Sequence, residues 1–170
     1  MSLSANHFEL FQNAVTFEID INKLSESYRN LQRTIHPDKY ANAPERERRL
    51  AMQRAAQINE AFQTLKNPIT RALYILQLQG INTNDEYHTT MDGDFLMMQM
   101  ELREQLAEIT QLEQLNEFLS RIEQYQDNLN QKLSQQFAEE NLQQAHDSVR
   151  QFQFFNRLHE QALQLEEELI

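Results

Sequence analysis

The chain has 170 residues, with 15 Lys and Arg against 26 Asp and Glu, a formal net charge of −11 and a mean hydropathy of −0.72. The absence of Cys excludes disulfides, thiolate zinc or iron–sulfur ligation and a Cys nucleophile, and 2 Gly with 3 Pro leave little turn material for an all-β or α/β fold. No stretch reaches the ~18 to 20 uninterrupted apolar residues of a membrane span, and the N-terminus has neither a signal-peptide core nor a transit-peptide bias, so a soluble, intracellular protein of mostly helical, all-α class is expected.

In chain order, the apolar patch at Phe8, Leu10 and Phe11 predicts a small first helix. Asp20 reads as an N-cap, followed at helical spacing by Ile21, Leu24, Tyr28, Leu31 and Ile35. That helix must end near His36, because Pro37 disfavours the α conformation for the residue before it. Pro44 suits the first turn of a second helix with an apolar face of Ala51, Ala55, Ile58, Phe62 and Leu65. Asn67 and Pro68 read as N-cap and first residue of a third helix, which runs to a stop at Gly80.

Residues 80–93 lack sustained periodicity and read as a linker and the entry to a second unit. From Asp94 onward there is neither Pro nor Gly. Helical patterning over about 94–110, 112–138 and 141–169 predicts a three-helix bundle. The charge divides the same way. Residues 1–75 hold 10 Lys and Arg and 8 Asp and Glu, a net of +2, whereas residues 76–170 hold 5 and 18, a net of −13. Such asymmetry suits two modules with different partners, although an acidic surface also serves solubility alone.

Between the two antiparallel helices lies His36-Pro37-Asp38-Lys39. Pro37 stiffens the bend and holds His36 and Asp38 outward at little further entropic cost. On a helical wheel Arg29, Arg33 and His36 fall within about 60° of one another, opposite the apolar stripe. A basic face therefore leads to a rigid loop carrying one carboxylate. A negatively charged groove would be drawn to the face, and Asp38 can pair with an Arg there. The same tripeptide can also serve as a plain turn.

The His-Pro-Asp-Lys loop, the helix through Ile58-Asn59-Glu60-Ala61-Phe62, Asn67-Pro68 and Arg71-Ala72-x-Tyr74 together resemble a J-domain over roughly residues 5–79. The J-domain is the module by which co-chaperones engage DnaK-type chaperones. The resemblance implies a chaperone-binding set of His36, Pro37, Asp38, Arg29, Arg33 and Lys39.

The segment from Asp94 to Glu104 holds more apolar residues than one core face can take. Phe95, Met98, Leu102, Leu106 and Ile109 lie within about 80° and are expected to bury against the bundle. Leu96, Met100 and Met97 fall on another side, edged by Glu101, Glu104 and Glu108. A Met-rich apolar patch rimmed by charge suits a protein partner; packing against the N-terminal module or another bundle helix is the alternative. Behind a J-domain without a Gly/Phe-rich segment or zinc module, Phe95-Leu96-Met97-x-Gln99-Met100-Glu101-Leu102-Arg103-Glu104 resembles the HscB family of co-chaperones of iron–sulfur cluster assembly. That resemblance implies a J-domain over 1–79, a linker over 80–87 and a scaffold-binding bundle over 88–170. The implied scaffold-binding residues are Leu96, Met97, Met100, Glu101, Glu104, Glu108 and Phe154. Phe154 shares its segment with Phe152 and Phe155, and packing under a neighbouring helix is its other reading. Met98 stands where the family pattern has an acidic residue. The absence of the Cys pairs of some organellar relatives points to a bacterial-type, cytoplasmic protein.

The implied partners are a DnaK-type (HscA-like) chaperone and an iron–sulfur scaffold protein (IscU-like), with no nucleic acid and no membrane. Arg46, Arg48 and Arg49 alternate with Glu45 and Glu47 and have no aromatic stacking surface, which argues against nucleic acid. The His residues at 7, 36, 88, 146 and 159 have no metal-ligand spacing, and neither a phosphate loop nor a nucleophile–base pair stands out, so no metal, cofactor or enzyme activity is expected. A J-protein with a different client, its bundle serving dimerisation or substrate holding, fits the same residues. So does a helical adaptor in which the His-Pro-Asp is incidental.

Overall fold

The computed structural model describes residues 5–83 and 92–170. The chain divides into two compact units, Met1–Leu78 and Gln79–Ile170. From residue 84 on, the expected linker over 80–87 lies outside the described residues, as do the expected domain start at 88 and His88. Among the described residues every element is helical.

The first unit contains α1 (His7–Leu10), α2 (Ile21–Ile35), a 3-10 turn (Pro37–Tyr40), α3 (Glu45–Lys66) and α4 (Pro68–Leu78). Local chemistry sets each boundary. The Asp20 carboxylate accepts from the Asn22 and Lys23 N–H groups at 3.0 and 3.2 Å, satisfying two of the orphan donors at the start of α2. His36, ahead of Pro37, leaves the helical region at ψ 132° and ends α2. Pro44 stands one position earlier than expected, as the N-cap of α3. Asn67 Oδ1 accepts from the Ile69 N–H at 2.9 Å, with Pro68 the first residue of α4. Beyond α4, Gly80 takes a φ of +79°, a conformation that glycine adopts without penalty.

All the other elements of this unit pack on α3. Its buried positions are Ala51, Ile58, Ala61 and Leu65. Ala55 and Phe62, expected in that stripe, are half-buried. Phe62 lies at the edge, its ring stacked on Tyr28 with centroids 4.1 Å apart. The Arg71-x-x-Tyr74 motif ties the unit together. Arg71 is buried, donates from Nη1 to the Leu65 carbonyl at 2.8 Å and lies 4.7 Å from the Phe17 ring. Burial pushes its guanidinium down to about 10, which leaves it charged at neutral pH. The Tyr74 hydroxyl accepts from the His7 N–H at 2.9 Å, and the two rings stack at 4.3 Å.

The second unit contains α5 (Gly93–Glu108), α6 (Leu112–Ala138) and α7 (Leu142–Leu169). Its core holds Leu102, Leu115, Phe118, Ile122, Leu133, Val149, Phe152 and Leu158. The helices α6 and α7 run antiparallel: Tyr125 stacks on Phe155 at 4.8 Å, and His159 Nε2 meets Glu123 Oε1 at 3.3 Å. The turn between them has no glycine. Glu140 adopts a φ of 56° there, while the Asn141 N–H donates to the Gln136 carbonyl at 2.8 Å and the Glu140 N–H to the Phe137 carbonyl at 3.1 Å. This Schellman closure satisfies the carbonyls at the end of α6. Two polar residues of the second unit, His146 and Ser148, are buried in α7 where no apolar pattern marked them.

Candidate protein-docking surfaces

The first surface is the bend after α2. Arg29 and Arg33 are exposed on α2, and His36, Asp38 and Lys39 are exposed around a half-buried Pro37. The loop is ordered by its own backbone. His36 Nδ1 accepts from the Asp38 N–H at 3.2 Å, and the Lys39 N–H donates to the His36 carbonyl at 3.0 Å. In the neutral imidazole this geometry places the proton on Nε2, the nitrogen not engaged by the loop. The Asp38 carboxylate is 92% exposed, with Oδ2 3.4 Å from His36 Nδ1. The bend therefore offers a ring donor and a solvated carboxylate, held by Pro37 and two local hydrogen bonds. All six expected residues come together here, and none of them fills the core.

The second surface is one side of α5. Leu96, Met97 and Met100 are 46%, 62% and 69% exposed, and Glu101, Glu104 and Glu108 are exposed with them. Met97, Met100, Glu101 and Glu104 line a shallow cleft of about 560 Å³, together with Arg103 and Ala107. Leu96 and Glu108 lie beyond that cleft on the same helix. Arg103 and Ala107 were not among the expected site residues. Their signal was present in the wheel, which places them beside the Met and Glu positions.

The opposite side of α5 faces the bundle. Phe95 and Leu102 are buried there, as expected, while Met98, Leu106 and Ile109 are only half-buried and Gln99 joins the buried set. The short α5 meets α7 mainly through aromatic edges. Phe95 meets Phe154 edge-on at 5.6 Å and Phe155 at 6.1 Å.

One expected contact residue is corrected by this packing. Phe154 is 2% exposed, wedged edge-to-face against Phe95 and Phe155, with the Arg103 guanidinium 5.4 Å from its ring. It is a buried support of the α5 face and has no surface to offer a partner. Leu142, Ala145, Val149 and Phe152 do share one face of α7, but α5 covers a second face, and Phe154 fills that junction.

Among the described residues no group of three or more His, Cys, Asp or Glu could hold a metal ion. Among the same residues no helix is long and apolar enough to cross a membrane.

Comparison with known proteins bears on both units. The protein-family model described as the DnaJ domain matches residues 14–74, and that described as the HSCB C-terminal oligomerisation domain matches residues 91–163. A curated "Co-chaperone protein HscB homolog" of Shewanella loihica is 44% identical over 160 residues, covering 90% of this chain and 92% of the relative. Its namesake in Photobacterium profundum is 44% identical over 167 residues, covering 95% and 97%. Among solved structures, chaperone HscB from Vibrio cholerae aligns with a TM-score of 0.88 at 39% identity, covering 98% of this chain and all of that one. Human co-chaperone HscB aligns at 0.93 with 26% identity, over 98% of this chain and 84% of that one.

Proposed function

The chain belongs to the HscB family of co-chaperones, and on that premise we propose that it is a non-enzymatic adaptor with two docking surfaces. Family and J-domain together imply an Hsp70-type chaperone as one partner. In this reading the J-domain, over 1–79, docks a specialised DnaK-type (HscA-like) chaperone and stimulates its ATPase. Arg29 and Arg33 supply the attraction, Lys39 adds charge, and His36, Pro37 and Asp38 supply the shape. Residues 80–87 link it to a bundle over 88–170 that captures an iron–sulfur scaffold protein (IscU-like) and delivers it to the chaperone. Leu96, Met97, Met100, Glu101, Glu104 and Glu108 form that contact. The work takes place in the cytoplasm, and ATP hydrolysis belongs to the partner.

The observation that carries the proposal is the pairing, in one chain, of an ordered and exposed His-Pro-Asp bend with an α5 face that leaves three large apolar side chains in solvent. A monomer with no partner gains nothing from Leu and Met so exposed beside carboxylates. The deciding measurement is the steady-state ATPase of a DnaK-type chaperone with this chain, with and without the scaffold protein. Stimulation that rises further with scaffold is expected. Stimulation indifferent to scaffold would keep the J-domain role and remove the client; no stimulation would remove the J-domain role.

The matching C-terminal family, described as an oligomerisation domain, favours a second reading in which the α5 face pairs with another copy of the chain. Sedimentation equilibrium separates the two, because a self-pairing face makes the mass depend on concentration without scaffold.

A further inference from the structure

An exposed methionine in a docking face is an apolar contact that an oxidant can turn polar. In this chain two of them stand together. Met97 and Met100 are one turn apart on α5, both more than half exposed, and both line the same cleft. Met98, between them in sequence, is half-buried on the other side of the helix, where it lines a second cleft with Phe95, Tyr125 and Phe155. Peroxide therefore has open access to the first two thioethers and hindered access to the third. The cleft is also poorly suited to the product. A sulfoxide is polar and chiral, and its oxygen needs a hydrogen-bond donor once a partner excludes water. Among the residues lining the cleft, Glu101 and Glu104 are acceptors only and repel the sulfoxide oxygen, which leaves Arg103, whose guanidinium lies over the Phe154 ring, as the single charged donor.

We infer that Met97 and Met100 form a reversible oxidation site through which peroxide controls docking of the bundle's partner. The inference rests on the reading of the α5 face as the scaffold dock. In the step itself a peroxide oxygen is transferred to methionine Sδ. The S–O bond forms as the O–O bond breaks, the thioether gives up two electrons, and the peroxide is reduced to water. Reversal falls to thiol-dependent sulfoxide reductases, which return the oxygen as water while two thiols become a disulfide.

The test uses the full chain, treated with hydrogen peroxide and freed of it before mixing with an untreated apo bacterial iron–sulfur scaffold protein. Peptide mapping by mass spectrometry follows each methionine, and titration calorimetry follows affinity. Met97 and Met100 are expected to gain oxygen ahead of Met98, with affinity falling about tenfold or more and returning after treatment with both sulfoxide reductases. In a Met97→Leu/Met100→Leu chain, the ratio of affinities before and after peroxide should fall to near one, whatever its starting value. A Met52→Leu chain, altered at an exposed methionine of α3, should keep the full drop. Unchanged binding by a chain carrying both sulfoxides would overturn the inference, as would a full drop in the Met97→Leu/Met100→Leu chain or oxidation of Met98 first. An untreated chain that fails to bind scaffold would instead sink the docking reading and take the switch with it.

Discussion

The two surfaces expose themselves by opposite means. The bend of the first unit presents polar atoms, and its shape is held by Pro37 and by the hydrogen bonds His36 makes to Asp38 and Lys39. The α5 face presents apolar side chains on a regular helix, whose rigidity comes from an aromatic layer beneath it, Phe95 on Phe154 on Phe155. A surface made of a few oriented atoms fails at one substitution. A surface made of area weakens by increments, one side chain at a time.

The sharpest way to break this contrast is His36→Gln. Loss of the ring removes both the cap on the Asp38 N–H and the outward Nε2–H, so stimulation of an Hsp70-type ATPase is expected to vanish while circular dichroism stays unchanged. His36→Asn refines the point, since an Asn side chain can restore the cap without the outward donor. Recovery of stimulation by Asn would assign the whole effect to loop shape.

The next largest effect lies under the second surface. Phe154→Ala should lower the stability of the chain by ~3 to 5 kcal/mol, the usual loss for a fully buried aromatic. Urea denaturation reads it, and an unchanged midpoint would return Phe154 to the surface. Above that layer, Leu96→Ser with Met97→Ser should leave the urea midpoint in place and weaken scaffold binding by ~1 to 3 kcal/mol per side chain. Equal losses of stability and binding would erase the distinction between support and contact.

The smallest effect is one of pH. Burial holds the His7 imidazole below its ordinary 6.5, against a weaker upward pull from Glu60. The unfolded chain then binds the proton more readily than the folded one. Stability is full above pH 6.5 and falls as pH drops from there toward the lowered folded value. His7→Phe keeps a ring on Tyr74 and removes the titration, so its denaturation midpoint should fall less than that of the parent over this window. Parallel curves would mean that His7 is solvated.

Much of this architecture is legible in the sequence because local rules govern it. Asp20, Asn67-Pro68 and Pro37 each act on their immediate neighbours, so the helix boundaries and the bend follow without knowledge of the rest. The exposed stripe on α5 is legible for a related reason: one wheel holds more apolar residues than one neighbour can cover. What escapes is whatever depends on a third element. A wheel shows that Phe154 leaves the main face of α7, but not that α5 arrives to cover it. Arg71 stands in the sequence only as part of a motif, and its burial depends on the Leu65 carbonyl and the Phe17 ring that enclose it. The α6–α7 turn has no glycine signal, because Glu140 takes the left-handed conformation in its place.

The clasp between the His7 N–H and the Tyr74 hydroxyl has a consequence for synthesis. It joins residues 67 positions apart, so the first helix cannot find its last anchor until Tyr74 has been translated. During vectorial emergence from a ribosome, the N-terminal segment must wait until α4 has cleared the exit tunnel. The hairpin of α2 and α3 can pair earlier, since its contacts are nearer in sequence. Completion of this unit is thereby timed to its own final helix.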